Sequence, residues 1–118
     1  MGGSKNFAEK GEFKYKSVGT IYGIKILVGV NGEHNLPMFS GKSVAYLRVD
    51  DKGRPRTIRV FQNQEAAKDI DWMHGHGKFK EGEIHVHEIK NKKRMEPREP
   101  TTKERMLAEK VRQYERER

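Results

Sequence analysis

Cysteine is absent from all 118 residues. That excludes disulfides and thiolate metal sites and leaves no mark of a redox compartment. Long apolar runs are missing too. The best, residues 24–30, is broken by Lys25 and Gly29 and falls short of a membrane span or a signal-peptide core, so no membrane partner is expected. Acidic residues are in deficit, 17 against 25 Lys and Arg, for a net charge of +8. Aromatic residues are few, with a single tryptophan, and the mean hydropathy is −1.00. A chain this short and polar has material for one modest core of roughly 80 to 90 packed residues with solvated tails. Its basic excess favours a polyanionic partner, most simply RNA or DNA.

What the chain has in excess is histidine in one place. Four of its five histidines, His74, His76, His85 and His87, fall close together with Asp69 and Asp71 just ahead of them. Imidazole titrates nearest neutrality and is a common metal ligand, so this density points to acid/base chemistry or to metal binding.

The surrounding pattern places these residues. Residues 1–12 read as a flexible leader, and order is expected from Phe13. Residues 20–30 are rich in β-branched side chains and read as one or two strands kinked at a glycine, closed by an Asn31-Gly32 turn. Residues 33–42 read as a loop. Its Gly41-Lys42-Ser43 end is not a phosphate-binding P-loop, because Leu36 stands where the first glycine must be. Residues 43–49 and 57–61 flank a Gly53-containing turn, the pattern of a β-hairpin. Alternation puts Ala45, Leu47, Val49, Ile58 and Val60 on one face, and Tyr46, Arg48, Thr57, Arg59 and Phe61 on the other. Residues 64–72 suit a short helix or turn, with Trp72 as a core anchor, and Gly75 and Gly77 break regular structure.

Residues 83–89 form the next expected strand. Ile84 and Val86 point to the core, and His85 and His87 point to the face already holding Tyr46, Arg48 and Arg59. The expected linker, residues 93–100, is basic and Pro-containing. Thr101 and Glu104 then form a capping box that opens a charged C-terminal helix over 101–118, with a narrow stripe of Leu107, Val111 and Tyr114. The fold class expected is α+β: a small antiparallel sheet with one or two packed helices in residues 13–92, plus the C-terminal helix.

On this reading His85, His87, His74, His76 and Arg59 are the catalytic candidates. Asp69 and Asp71 would orient histidine tautomers, and Tyr46, Arg48, Arg56 and Lys78 would bind substrate. Without a cofactor, one neutral imidazole takes the proton of a ribose 2′-hydroxyl and a protonated one donates to the leaving 5′-oxygen, with Arg59 or Lys78 stabilising the phosphorane. Only RNA carries that hydroxyl. Alternatively His74, His76, His85 and His87 hold zinc or another divalent transition metal.

The residues Lys68-Asp69-Ile70-Asp71-Trp72, His74-Gly75-His76-Gly77 and His85-Val86-His87 resemble the core of toxin modules of polymorphic toxin systems and of phage head-associated proteins. These modules are similar to the barnase, EndoU, colicin and RelE-like group. The resemblance covers about residues 43–92. It implies a metal-independent ribonuclease that cleaves RNA through a 2′,3′-cyclic phosphate, acting in a bacterial host cytoplasm or carried in a phage virion. An immunity protein or phage structural proteins would be its protein partners. The rival reading is a phage or prophage protein that binds nucleic acid without catalysis.

Overall fold

The computed structural model describes residues 6–9, 12–30, 35–50, 52–72, 75 and 77–117. Eight strands and one helix follow in order: β1 Asn6–Glu9, β2 Glu12–Ile21, β3 Ile24–Gly29, β4 Ala45–Val49, β5 Pro55–Gln62, β6 Glu65–Asp71, β7 His85–Lys90, β8 Lys93–Arg98 and α1 Thr102–Glu117. All eight strands lie in one sheet in sequence order. Every pairing is antiparallel except that of β3 with β4, which is parallel. The fold is therefore predominantly β, with the C-terminal helix its one helix among the described residues. The expected α+β class, with a helix or two inside the 13–92 domain, is overturned.

Two segments account for the difference. Residues 64–72, expected as a helix or turn, are mostly strand β6. Glu65, Ala66, Ala67 and Lys68 favour helix locally, but Ile70 is a core position between β5 and β7, and tertiary pairing overrides local preference. The expected linker 93–100 is largely strand β8, paired to β7 along its length. Pro97 is tolerated there because β8 is an edge strand. Strand pairing also starts at Asn6, inside the expected leader.

Three hairpins share one turn chemistry. Tyr22-Gly23, Asn63-Gln64 and Asn91-Lys92 each have positive φ at both positions, which matches the two-residue type I′ turn whose twist suits a right-handed sheet. The expected hairpin of residues 43–49 and 57–61 is present as β4 and β5, with Asp50 O accepting from Gly53 N at 2.9 Å. The Asn31-Gly32 turn lies outside the described residues.

Each face of the sheet is covered. On one, Leu47, Ile58, Ile70, Trp72, Ile84 and Val86 pack with Ala108 and Val111 of α1, so the helix is part of the domain and Trp72 is a core anchor. Cutting Ile58 or Val86 to alanine would cost about 2–4 kcal/mol. The capping box forms as its sequence predicts: Thr101 Oγ1 accepts from Glu104 N at 3.2 Å, and Glu104 Oε1 accepts from Thr101 N at 2.7 Å. The same carboxylate receives Arg98 of β8 at 2.8 Å and Lys68 of β6 at 2.7 Å, which ties the helix start to the sheet. Arg98 holds the Glu104 carboxyl well below the usual carboxylate range despite its burial, with help from Lys68 and the Thr101 N–H. Tyr114, the last residue of the expected stripe, lies outside the residues whose side chains are described.

The opposite face holds Tyr15, Leu27, Tyr46 and Phe61, covered by Leu36 from the β3–β4 connection. A parallel pair cannot be joined by a tight turn, so this connection must cross the sheet. It is fastened to the β5–β6 end by Ala66 N donating to Met38 O at 2.8 Å and Ser40 N donating to Gln64 O at 2.9 Å. No helix among the described residues is long and apolar enough to cross a membrane.

Candidate functional site

Register converts the sequence alternation into two polar rows on the second face. One runs Tyr46, Arg59, Asp69, His87 across β4 to β7, and the next runs Arg48, Thr57, Asp71, His85. The sequence expectation that the two histidines share a face with Tyr46, Arg48 and Arg59 therefore holds. What differs is exposure. A substrate-binding face has to be open, yet Arg59, Asp69, Asp71 and His87 are buried and His85 is 0% exposed. Leu36 from the β3–β4 connection and Arg94 from the edge strand β8 reach it.

Burial requires partners, and these divide the residues by role. Arg59 forms a two-pronged pair with Asp69, Nε to Oδ1 at 2.7 Å and Nη2 to Oδ2 at 2.8 Å. Its Nη1 donates to Leu36 O at 2.7 Å. Its guanidinium is thus committed to the fold and does not face a substrate. Asp69 is equally committed, since Arg94 Nε also sits 3.1 Å from its Oδ2. It anchors two arginines rather than orienting a histidine.

Asp71 makes longer contacts to Thr57 and Arg94. Thr57 Oγ1 lies 3.4 Å from its Oδ1, and Arg94 Nη2 lies 3.3 Å from its Oδ2. It groups instead with the histidines: one ligand atom each from Asp71, His85 and His87 all lie within 4.8 Å of one another. Both imidazoles are fixed by main-chain carbonyls. His85 Nδ1 lies 2.9 Å from Glu83 O, and His87 Nδ1 lies 2.8 Å from Met95 O. A carbonyl only accepts, so each Nδ1 carries a proton, and a ring in its neutral form keeps its lone pair on Nε2. Phe79 stacks on His85 at 5.3 Å, and the two imidazoles meet edge to face at 5.2 Å.

The cluster reaches the surface on one side. A depression of about 300 Å³ is lined by Gly77, His87, Arg94, Met95, Glu96 and Pro97. Arg94, 37% exposed, bridges the two aspartates beneath it and presents the cation at its rim. The sequence reading missed this residue by taking it as part of a basic run. The signal was the Asn91-Lys92 pair, which turns the chain back and brings Arg94 opposite Ile89.

The remaining candidates fall elsewhere. Tyr46 is buried against Phe61 at 4.8 Å, and burial pushes its phenol above the ordinary value. Burial pushes the Arg48 guanidinium below its ordinary value, with Tyr15 and Asp71 opposing. Arg56 sits 3.3 Å from Asp50 at the β4–β5 turn. Lys78 is exposed, 3.4 Å from Glu99 and 5.4 Å from the Phe79 ring centre. His74 and His76 lie outside the described residues. Gly75 between them is in close quarters: a Cβ there would lie 3.0 Å from Phe79 O.

Comparison with known proteins gives no match: no protein family, no curated protein and no solved structure matches this chain. The likeness to toxin and phage nuclease modules rests on its motif residues alone.

Proposed function

We propose that this protein cleaves RNA, with the Asp71, His85 and His87 centre removing the proton from a ribose 2′-hydroxyl. The observation that carries this reading is the convergence of two imidazoles and a carboxylate within 4.8 Å, in a basic chain, beside a depression that His87 and Arg94 line. In the reaction the 2′-oxygen bonds to the adjacent phosphorus, the bond to O5′ breaks, and O5′ leaves as a hydroxyl by taking the proton that the centre received or one from water, leaving a 2′,3′-cyclic phosphate. Arg94 supplies positive charge to the phosphate oxygens, the part assigned from sequence to Arg59 or Lys78. The earlier scheme needs two imidazoles reaching opposite ends of one phosphate. His87 borders the depression while His85 lies behind it, so the centre works as a unit rather than as a separate acid and base.

The test is incubation of labelled RNA and its 2′-deoxy counterpart with the purified chain and with His87→Ala. Cleavage of RNA alone, ending in a cyclic phosphate and lost in His87→Ala, is the expected result. No cleavage by folded wild-type protein in any buffer or metal would overturn the reading.

The second reading is a nucleic-acid-binding protein without catalysis. The burial of Arg59 with Asp69 favours it, because a sealed ion pair stabilises a sheet face whether or not chemistry occurs there. Salt-sensitive RNA binding without cleavage selects it.

A further inference from the structure

We infer that Asp71, His85 and His87 bind one divalent transition metal ion of the zinc class. The assignment deepens the proposed function at the same centre, but it rests on the donor geometry and not on RNA being the substrate.

The donor set is two imidazole nitrogens and one carboxylate oxygen, the composition of three-ligand sites that leave a further position open. Each imidazole donates its Nδ1 proton to a main-chain carbonyl, at 2.9 Å for His85 and 2.8 Å for His87. That second contact fixes the tautomer that presents Nε2, as metal-binding histidines require. His-x-His on a strand brings both rings to one face, and pairing Asp71 opposite His85 adds the carboxylate from the neighbouring strand.

Distances decide which carboxylate takes part. In a tetrahedral shell with bonds of about 2.1 Å, ligand atoms lie roughly 3.4 Å apart. The three atoms here lie within 4.8 Å, so closing the shell takes movements of about an ångström. Asp71 is the carboxylate that groups with both imidazoles within 4.8 Å. Asp69 is clamped by Arg59 at 2.7 and 2.8 Å.

Charge fixes the class of the additional ligand. Asp69 and Asp71 are already paired with Arg59 and Arg94, so a divalent ion adds two positive charges that these carboxylates do not offset. A hydroxide or a phosphate oxygen reaching the ion from the depression beside His87 and Arg94 offsets one of them. A metal-bound hydroxide there is a base at neutral pH.

The test is zinc binding by the full chain after chelator stripping and dialysis, followed by titration calorimetry and by melting with and without zinc ion. The variants are Asp71→Asn, His87→Gln and, as a control, His74→Gln/His76→Gln. The expected result is one ion per chain, a zinc-dependent rise in melting temperature, and at least tenfold weaker binding in each of the first two variants. Absence of zinc binding overturns the proposal. So does binding that both single variants retain at wild-type strength while the control loses it. His85 is left intact because its substitution in the sealed core invites misfolding. RNA is absent from the titration, so the readings fail separately. Zinc binding without RNA cleavage sinks the ribonuclease reading alone, and chelator-resistant cleavage without zinc binding sinks the metal site alone.

Discussion

Arg59 and Asp69 are register partners on β5 and β6 and form a two-pronged ion pair, both nearly sealed from solvent. The pair holds one face of the sheet together beside Asp71 and the two histidines. Removing one member leaves a buried charge without compensation. Arg59→Ala is expected to lose about 3–5 kcal/mol of stability in urea unfolding. Arg59→Lys loses much of the same, because an ammonium cannot reproduce the two-pronged contact. An unchanged midpoint would mean that this face is not sealed.

Glu104 links acid stability to the helix cap. Arg98 chiefly lowers its folded pKa, so its contribution is fully present above the unfolded glutamate value of about 4.3 and is lost progressively as pH falls below it. The urea midpoint of wild type should drop on acidification through that range. Glu104→Gln should be less stable at neutral pH by about 2 kcal/mol and should show a flatter acid limb. A wild-type acid limb as flat as the variant's would contradict the linkage.

Arg94 is the cation that the depression presents. Arg94→Ala is expected to weaken RNA binding with a loss of about one unit in the slope of log K against log salt, read by fluorescence anisotropy. An unchanged slope would remove Arg94 from the RNA-contacting surface.

Gly75 faces the main-chain oxygen of Phe79, whose ring stacks on His85. Gly75→Ala must push that segment aside, at a cost of roughly 1–3 kcal/mol. RNA cleavage is expected to fall about tenfold, by an order-of-magnitude reading of misplaced catalytic groups. Wild-type melting and activity together would show that the glycine is dispensable.

Legibility in the sequence followed how directly each residue reports its own environment. Strands β4, β5 and β7 could be read because Ala45 to Val49, Thr57 to Val60 and Ile84 to His87 place apolar residues at every second position, and α1 because Thr101 and Glu104 cap it locally. Strand β6 was not legible at its start, where Glu65 to Lys68 favour helix. Strand β8 was not legible because an edge strand with one exposed side needs no apolar alternation, and Lys93, Arg94 and Glu96 look like a solvated linker. Convergence of His85 and His87 with Arg59's face followed from period two alone. Burial of that face did not, because Leu36 and Arg94 reach it only through a crossover and a hairpin whose turn residues, Asn91 and Lys92, are not the favoured Asn-Gly pair. The division of the two aspartates into a clamp and a site residue depends on which of them Arg59 grips.

The central claim is that Asp71, His85 and His87 form a reacting centre and not merely a sealed polar seam. The measurement that tests it most directly pairs the RNA cleavage rate of Asp71→Asn with its melting temperature, beside wild type. A rate at least ~100-fold lower, the scale of losing an acid/base or metal-ligand contribution, with the fold retained, is the expected result. Cleavage at the wild-type rate in a folded Asp71→Asn protein would contradict it.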